Sequence, residues 1–274
     1  MSRVYMLHGC SDNWQPDAQS SRNFVSESTL IRHLKFRSEK YGCLGLDHDR
    51  DILTIDDSTE GAARACELAR EAGHEVTLFV NAAQIISGRQ YWFTQFDSIL
   101  DSIGADSIVF RGVTYWLSSK MSIRHFRLEI KKFMVTLCEE NTDEIIGELR
   151  LKLKSDSADV PIHGRVLTLE RLKSLSESGV KIESHGWGHR EIASCSDDEL
   201  KNDLYETSEW LKSELSIEST HYAVPYGMSF VPRNIASQIP GKILLANPNL
   251  PLGEVYAGHW NRCDLTSELQ GVAK

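Results

Sequence analysis

The sequence has no long apolar run. A helix needs about 18–20 mostly apolar residues to cross a bilayer, and no stretch of the 274-residue chain approaches that length. The opening residues, MSRVYMLHGC, also lack the apolar stretch of a secretory signal. We therefore expect a protein without a transmembrane segment that remains in the cytoplasm.

Excess positive charge and paired cysteines are missing too. The net charge is −9 at pH 7, whereas nucleic acids and anionic membranes are bound by clusters of Lys and Arg. We therefore expect no nucleic-acid partner. The six cysteines are spread along the chain without a CxxC pair, which is typical of reduced thiols and not of a cysteine zinc site.

The chain shows no internal repeat and no low-complexity tract; it contains an alternation of strand and helix patterns. Short apolar runs predict strands at VYML, DILTI, EVTLFVN, VKIES, THYAV and GKILLA. Amphipathic helical segments lie between several of them, such as STEGAARACELAREAGH. This order predicts an α/β fold in which helices cover a parallel sheet.

Residues from about 91 to 160 depart from that alternation. The pattern there is mainly helical, with Ile123, Phe126 and Ile130 spaced to share one helix face. We interpret this segment as a helical insertion packed on the sheet, within a single domain that spans residues 1–274.

Two adjacent carboxylates, Asp56 and Asp57, follow the predicted strand DILTI. Like charges repel, and burying either one is costly without compensation. The simplest interpretation is a solvated turn in which Ser58 or Thr59 caps the next helix. The alternative is that one carboxylate binds a cation while the other performs chemistry beside it.

Two histidines favour the second interpretation. His185 and His189 follow the predicted strand VKIES, and Gly186 and Gly188 indicate a loop at this point. Because parallel strands present their carboxyl ends at one edge, we expect both pairs to meet there. Two imidazoles and a carboxylate can hold a divalent cation that lowers the pKa of a bound water toward ~7. The second carboxylate can then accept the proton of that water.

A third segment, HYAVPYGM, reads as a strand that ends in a Pro-Gly turn. Its alternative role is to stabilise an oxyanion through a backbone N–H, that of Tyr226.

In this order, LTIDDS, SHGWGH and AVPYG resemble the first three motifs of the polysaccharide deacetylases. This family is also known by NodB homology or as carbohydrate esterase family four, and AVPYG resembles a subgroup with an A-x-P-Y-G third motif. Flanking segments are similar too, so the resemblance covers most of the chain. It implies a distorted (β/α) barrel that removes acetyl groups from acetylated sugars with a divalent metal, usually Zn²⁺. Co²⁺, Ni²⁺ and Mn²⁺ suit the same ligands.

The resemblance also implies a role for each matching residue. Asp56 would be the general base and Asp57 a metal ligand. His185 and His189 would complete the metal site. Tyr226 would donate its backbone N–H to the tetrahedral oxyanion.

The motifs depart from the family pattern at three positions. Gly186 replaces a frequent Ser or Thr, and Arg190 replaces a Pro. Ala223 stands where the third motif often carries an Arg that pairs with the base. Arg262, in HWNRCDL, resembles a C-terminal Arg of the subgroup and is the predicted substitute.

The catalytic acid has two candidates, because the family's late L-x-H motif is missing. The first is His8, at the end of the first predicted strand, and the second is His259, in AGHWNR. Either would protonate the leaving amine.

These features together predict a metal-dependent hydrolase that removes an acetyl group from an N-acetylated sugar, such as a nucleotide- or lipid-linked precursor of a surface polysaccharide. One alternative is a deformylase, or another C–N hydrolase on the same scaffold. A different alternative is a catalytically silent sugar-binding homologue, which the altered second and third motifs favour. The sequence carries no signal for the oligomeric state.

Overall fold

The computed structural model describes residues 3–44, 51–137, 139–156 and 159–271. The strands within these ranges are β1 (Val4–Leu7), β2 (Cys10–Ser11), β3 (Val25–Ser26), β4 (Ile52–Asp56), β5 (Val76–Val80), β6 (Ser107–Phe110), β7 (Val113–Trp116), β8 (Lys181–Ser184), β9 (Tyr222–Ala223), β10 (Ile243–Leu245), β11 (Gly253–Tyr256), β12 (His259–Asn261) and β13 (Cys263–Asp264).

The helices are α1 (Glu27–Tyr41), α2 (Glu60–Glu71), α3 (Ala82–Ser87), α4 (Trp92–Asp101), α5 (Lys120–Met134), α6 (Glu139–Lys152), α7 (Leu169–Glu177), α8 (Asp197–Leu215), α9 (Arg233–Ala236) and α10 (Leu265–Leu269). Side-chain oxygens cap several of them, since the first turn of a helix leaves backbone N–H groups unpaired. Thr59 caps α2, and Ser196 with Glu199 forms a capping box on α8. None of the described helices is both long and apolar enough to span a membrane.

Nine strands form one sheet in the order β11-β12-β10-β9-β8-β5-β4-β1-β13. Every neighbouring pair is parallel except β11 with β12. The α/β prediction is therefore confirmed. Within the described ranges β11 and β13 do not pair with each other, so the sheet stays open between these edges and does not close into a barrel.

The segment from 91 to 160 contains a feature that the helical interpretation missed. Strands β6 and β7 form an antiparallel hairpin. Its turn is made by Arg111 and Gly112, with φ of 50° and 78°. Glycine tolerates a positive φ, which a tight hairpin turn requires. The sequence signal for this turn was therefore Gly112, flanked by β-branched and aromatic residues that favour strands. The short C-terminal strands β11, β12 and β13 were not predicted either.

Two of the four apolar clusters in the described ranges bear on the site. One lies between the sheet and its helices and includes Leu53, Ile55 and Leu78. The other is confined to α4, α5, α6 and the hairpin, where Phe126 and Ile130 are fully buried. Trp92 packs against both clusters. The segment thus buries apolar faces of its own and meets the sheet core through Tyr91, Trp92 and Phe93, beside the edge where the predicted site lies.

Candidate active site

The carboxyl ends of β1, β4, β8, β9 and β12 meet at one edge of the sheet because these strands run parallel. A cavity of about 190 Å³ opens there. Seven of the eight predicted site residues line it, namely His8, Asp56, Asp57, His185, His189, Tyr226 and Arg262.

Asp56 and Arg262 form a two-pronged ion pair in the floor of this cavity. Arg262 Nη1 and Nη2 donate to the two carboxylate oxygens of Asp56 at 2.7 and 2.6 Å. Arg262 also donates to Thr54 and to the carbonyl of Leu245, and it is 3% exposed. Burial by itself raises the pKa of Asp56, but the charges of Arg262 and His185 and the Arg262 hydrogen bonds bring it below its ordinary value. Asp56 is therefore held as a carboxylate despite being only 2% exposed.

Asp57, His185 and His189 form the cluster that could hold a metal ion. One potential ligand atom of each lies within 4.8 Å of the others. Asp57 Oδ1 lies 3.6 Å from His185 Nε2 and 3.2 Å from His189 Nε2. At 4% exposure Asp57 is not in a solvated turn, although Thr59 does cap the following helix as the simpler interpretation expected.

Three observations fit a divalent cation at this cluster. Asp57 Oδ1 is buried and accepts no hydrogen bond from the described residues, so one lone-pair site is available. His185 Nδ1 lies 2.8 Å from the carbonyl oxygen of Ala223, which makes Nδ1 the donor and leaves Nε2 as the ligand atom. Burial lowers the pKa of His189 by more than Asp57 raises it, which favours the neutral imidazole that binds metals.

Three site residues have left-handed backbone: Asp57, His189 and Tyr226, with φ of 72°, 55° and 60°. Each such non-glycine residue costs about 1–3 kcal/mol, so the surrounding structure has to impose the conformation. All three follow strands that end at the same edge. The strained backbone aims their functional groups at one another.

A buried hydrogen-bond network joins the segment after β4, which carries Asp57 and Ser58, to the segment after β8, which carries His185 and Gly186. Asn81, directly after β5, donates its side-chain N–H to the carbonyls of His185 and Gly186 at 2.6 and 3.1 Å. The Tyr91 hydroxyl donates to Asn81 Oδ1 and accepts from the backbone N–H of Ser58. Sequence reasoning missed Asn81 and Tyr91. The signal for Asn81 was available, because a polar residue after a central strand falls at the same edge as the two Asp residues.

The loop that carries both histidines is also anchored to α8. The backbone N–H of Trp187 donates to Asp203 Oδ2 at 2.9 Å. Gly186 has φ of +80°, and a Cβ there would lie 2.6 Å from the same oxygen. The positive φ disfavours any residue with a Cβ here, and the Asp203 side chain would also have to move to admit one. Arg190 instead pairs with Glu199 of α8 at 3.1 Å.

Tyr226 lies over the cluster with its ring centroid 4.7 Å from that of His189. Its hydroxyl accepts a hydrogen bond from Trp92 Nε1 at 3.1 Å. The backbone N–H of Tyr226 donates to none of the described residues, so it is available to a ligand.

The two predicted acids occupy different places. His8 lies half-buried in the cavity wall beside Asp56 and Asp57. His259 is fully buried outside the lining of this cavity. Its Nε2 accepts from the backbone N–H of Val231, and its Nδ1 lies 3.1 Å from the carbonyl oxygen of Tyr256. The structure therefore brings His8 to the site and leaves His259 apart, with both ring nitrogens engaged.

Comparison with known proteins identifies the family. Residues 47–238 match the family model described as polysaccharide deacetylase, which is more than half of the chain. The chain belongs to the polysaccharide deacetylase family. A search of curated proteins found no matching relative.

Solved structures show the same fold at low sequence identity. IcaB from Ammonifex degensii has a TM-score of 0.57 at 14% identity, with 99% of this chain and 95% of that chain covered. The putative polysaccharide deacetylase BA0330 from Bacillus anthracis has a TM-score of 0.56 at 12% identity, with coverage of 100% and 69%. The deacetylase PplD from Streptococcus pyogenes has a TM-score of 0.51 at 14% identity, with coverage of 96% and 91%. Family membership makes the protein a carbohydrate deacetylase by class, with an acetylated sugar as the kind of substrate.

Proposed function

We propose that this protein is a metal-dependent hydrolase that removes the acetyl group from an N-acetylated amino sugar. One observation carries the proposal. The buried Asp57–His185–His189 cluster lies beside a second carboxylate, Asp56, that Arg262 holds ionised.

Asp57, His185 and His189 would hold the metal, and Zn²⁺ suits this donor set. When bound, such an ion makes water more acidic and polarises the acetyl carbonyl. The protein's own groups then have three tasks. Asp56 accepts the proton of the attacking water. The Tyr226 backbone N–H donates to the oxyanion of the tetrahedral intermediate. His8 protonates the departing amine.

The departures from the family pattern are consistent with an active site. Arg262 replaces the Arg that the third motif lacks, because it bonds both oxygens of Asp56. Ala223 contributes its carbonyl to His185, a contact that needs no particular side chain. These contacts argue against the silent sugar-binding alternative.

We also propose that residues 1–274 form one domain with the segment at about 91–160 as an insertion. The support is Trp92, which packs against both apolar clusters and bonds Tyr226 of the site.

The decisive experiment measures metal content and acetate release together. We expect one equivalent of divalent metal in the wild type and in Asp56→Asn, and loss of metal in His185→Ala. Acetate release from N-acetylated sugars should require both residues. His125→Ala is the matched control, because His125 is an exposed histidine on α5.

A folded wild type that takes up no metal would contradict the proposal, and retained turnover in Asp56→Asn would contradict the base assignment. Formate release from N-formylated sugars, in place of acetate release, would identify a deformylase.

A further inference from the structure

The cavity has a basic wall that the proposed chemistry does not use. Arg127 and Lys131 lie four residues apart on α5, and both line the cavity. Arg22, from the loop before β3, lines it as well. The protein as a whole is acidic, with a net charge of −9, so a local concentration of cations here calls for an explanation.

Only part of this positive charge is compensated. Arg127 is 5% exposed and forms a two-pronged ion pair with Asp97, in which Nη2 donates to Oδ2 at 2.8 Å. By contrast, Arg22 and Lys131 form no ion pair with any carboxylate in the described ranges. Two cationic side chains therefore line the cavity without a carboxylate partner among the described residues, Lys131 half-buried and Arg22 exposed.

The remaining cations also repel one another. Arg22 as a whole is exposed, and partial burial of its guanidinium, together with the charges of Arg127 and Arg124, lowers its pKa. Burial likewise lowers the pKa of Lys131, with further decreases from Arg127 and Arg22. Asp97 acts in the opposite direction on both groups, and Glu191 does so on Lys131, but neither decrease is reversed. An anion bound by Arg22 and Lys131 would relieve the repulsion between the cations and, at the half-buried Lys131, the cost of desolvation.

The basic wall is adjacent to the proposed metal site. Lys131 Nζ lies 5.2 Å from the ring centroid of Tyr226, and the ring centroid of His189 lies 4.7 Å from the same centroid. The ammonium and a proposed metal ligand therefore contact the same aromatic ring. A substrate with its acetamido group at the metal site can place a neighbouring substituent against Lys131.

We propose that Arg22 and Lys131 form a subsite for an oxyanion of the substrate, a phosphate or a carboxylate, so that the substrate is an acidic acetamido sugar. This inference rests on the proposed deacetylase function. Arg127 is not part of the subsite, because its guanidinium is paired with Asp97.

The first test measures binding without turnover. Inorganic phosphate is titrated calorimetrically into the metal-loaded wild type, Arg22→Gln, Lys131→Ala and Lys132→Ala. Lys132→Ala is the matched control, because it removes the same charge from the same helix. The Lys132 side chain is 72% exposed and pairs with Glu129. A charge-assisted contact predicts a Kd about tenfold or more higher in the first two variants and an unchanged Kd in the control. Phosphate that does not bind, or that binds Lys131→Ala as tightly as the wild type, overturns the proposal.

The second test compares three substrates: N-acetylglucosamine, its 1-phosphate and N-acetylmuramic acid. We expect kcat/KM to favour a charged sugar by about tenfold to a hundredfold, and Lys131→Ala to abolish that preference. The better charged sugar identifies phosphate or carboxylate as the source of the oxyanion. Equal kcat/KM for the neutral sugar overturns the proposal. If none of the sugars is hydrolysed while phosphate binding still depends on Lys131, the deacetylase proposal fails and the oxyanion subsite stands.

Discussion

Arg262 donates hydrogen bonds to both carboxylate oxygens of Asp56, 206 residues away in the sequence, at 2.7 and 2.6 Å. The pair joins the end of β12 to the end of β4. It lies in the floor of the cavity, where the two side chains are 0% and 3% exposed. The charge that keeps Asp56 ionised is thus supplied from the far end of the chain.

Removing the Arg262 charge should shift the pH dependence of catalysis. In Arg262→Met the charge and hydrogen bonds of Arg262 are lost and only the weaker effects of His185 and His8 still oppose burial, so the pKa of Asp56 rises. A general base works only above its own pKa, so the acid limb of kcat/KM should move to higher pH. Breaking a buried pair also costs about 3–5 kcal/mol of unfolding free energy. Arg262→Lys keeps the charge and should show a smaller shift. An acid limb that stays in place in both variants would contradict the pairing role.

His8 should matter most when the leaving group needs a proton. We expect His8→Ala to slow amide hydrolysis by about a hundredfold or more, the usual contribution of a general acid. An aryl acetate ester should be much less affected, because a phenolate leaves without protonation. The measurement is the ratio of amide to ester rates. His259→Ala is the comparison variant and should keep the wild-type ratio. Equal losses on both substrates in His8→Ala would exclude it as the acid.

The candidate site was largely predictable because parallel strands place their carboxyl ends together. Asp56 is the last residue of β4, and Asp57, His185 and Tyr226 lie in the turns that follow strands, whose ends sequence patterns mark. Asp203 could not be found this way. It reaches the site from the middle of α8, and only the packing of that helix brings it to Trp187.

The hairpin shows a different reason for failure. Residues 107–116 lie between helical patterns, and two four-residue strands are too short to show a period. The basic wall was visible in part, since Arg127 and Lys131 have the spacing of one helix face. Arg22 lies in a loop, and only the fold places it opposite α5.

Asp203 should control metal affinity without binding the metal. Its Oδ2 accepts from the Trp187 N–H between the two histidines, and burial raises its pKa to about 6. Loss of an outer contact of this kind typically weakens metal binding by about tenfold to a hundredfold. We expect that loss in Asp203→Ala, partial recovery in Asp203→Asn, and no change in Asp198→Ala, whose side chain is 92% exposed on the same helix. Competition with a chromophoric chelator measures it. Wild-type affinity in Asp203→Ala would contradict the role.

Glu183 should make the fold sensitive to acid. It is 1% exposed and accepts hydrogen bonds from the backbone N–H groups of Thr220 and His221 and from the Ser219 hydroxyl. Burial opposes ionisation, but contacts with His221 and Lys181 outweigh it and lower the pKa from 4.5 to about 2. A lowered carboxyl pKa stabilises the fold above the unfolded-state value, and this contribution is lost as pH falls from about 4.5 toward 2.

The shift corresponds to roughly 3 kcal/mol at neutral pH. Glu183→Gln should therefore lose about that much unfolding free energy at pH 7. The loss should be much smaller at pH 3, because the ionised carboxyl of the wild type stabilises the fold less as the pH approaches its lowered pKa. Urea unfolding at pH 7, 4.5 and 3 measures this difference. Glu209→Gln removes an exposed carboxylate from α8 and is the control for net charge. If Glu183→Gln and the wild type differ by the same amount at all three pH values, the Glu183 carboxylate stabilises the fold by packing and not by its charge.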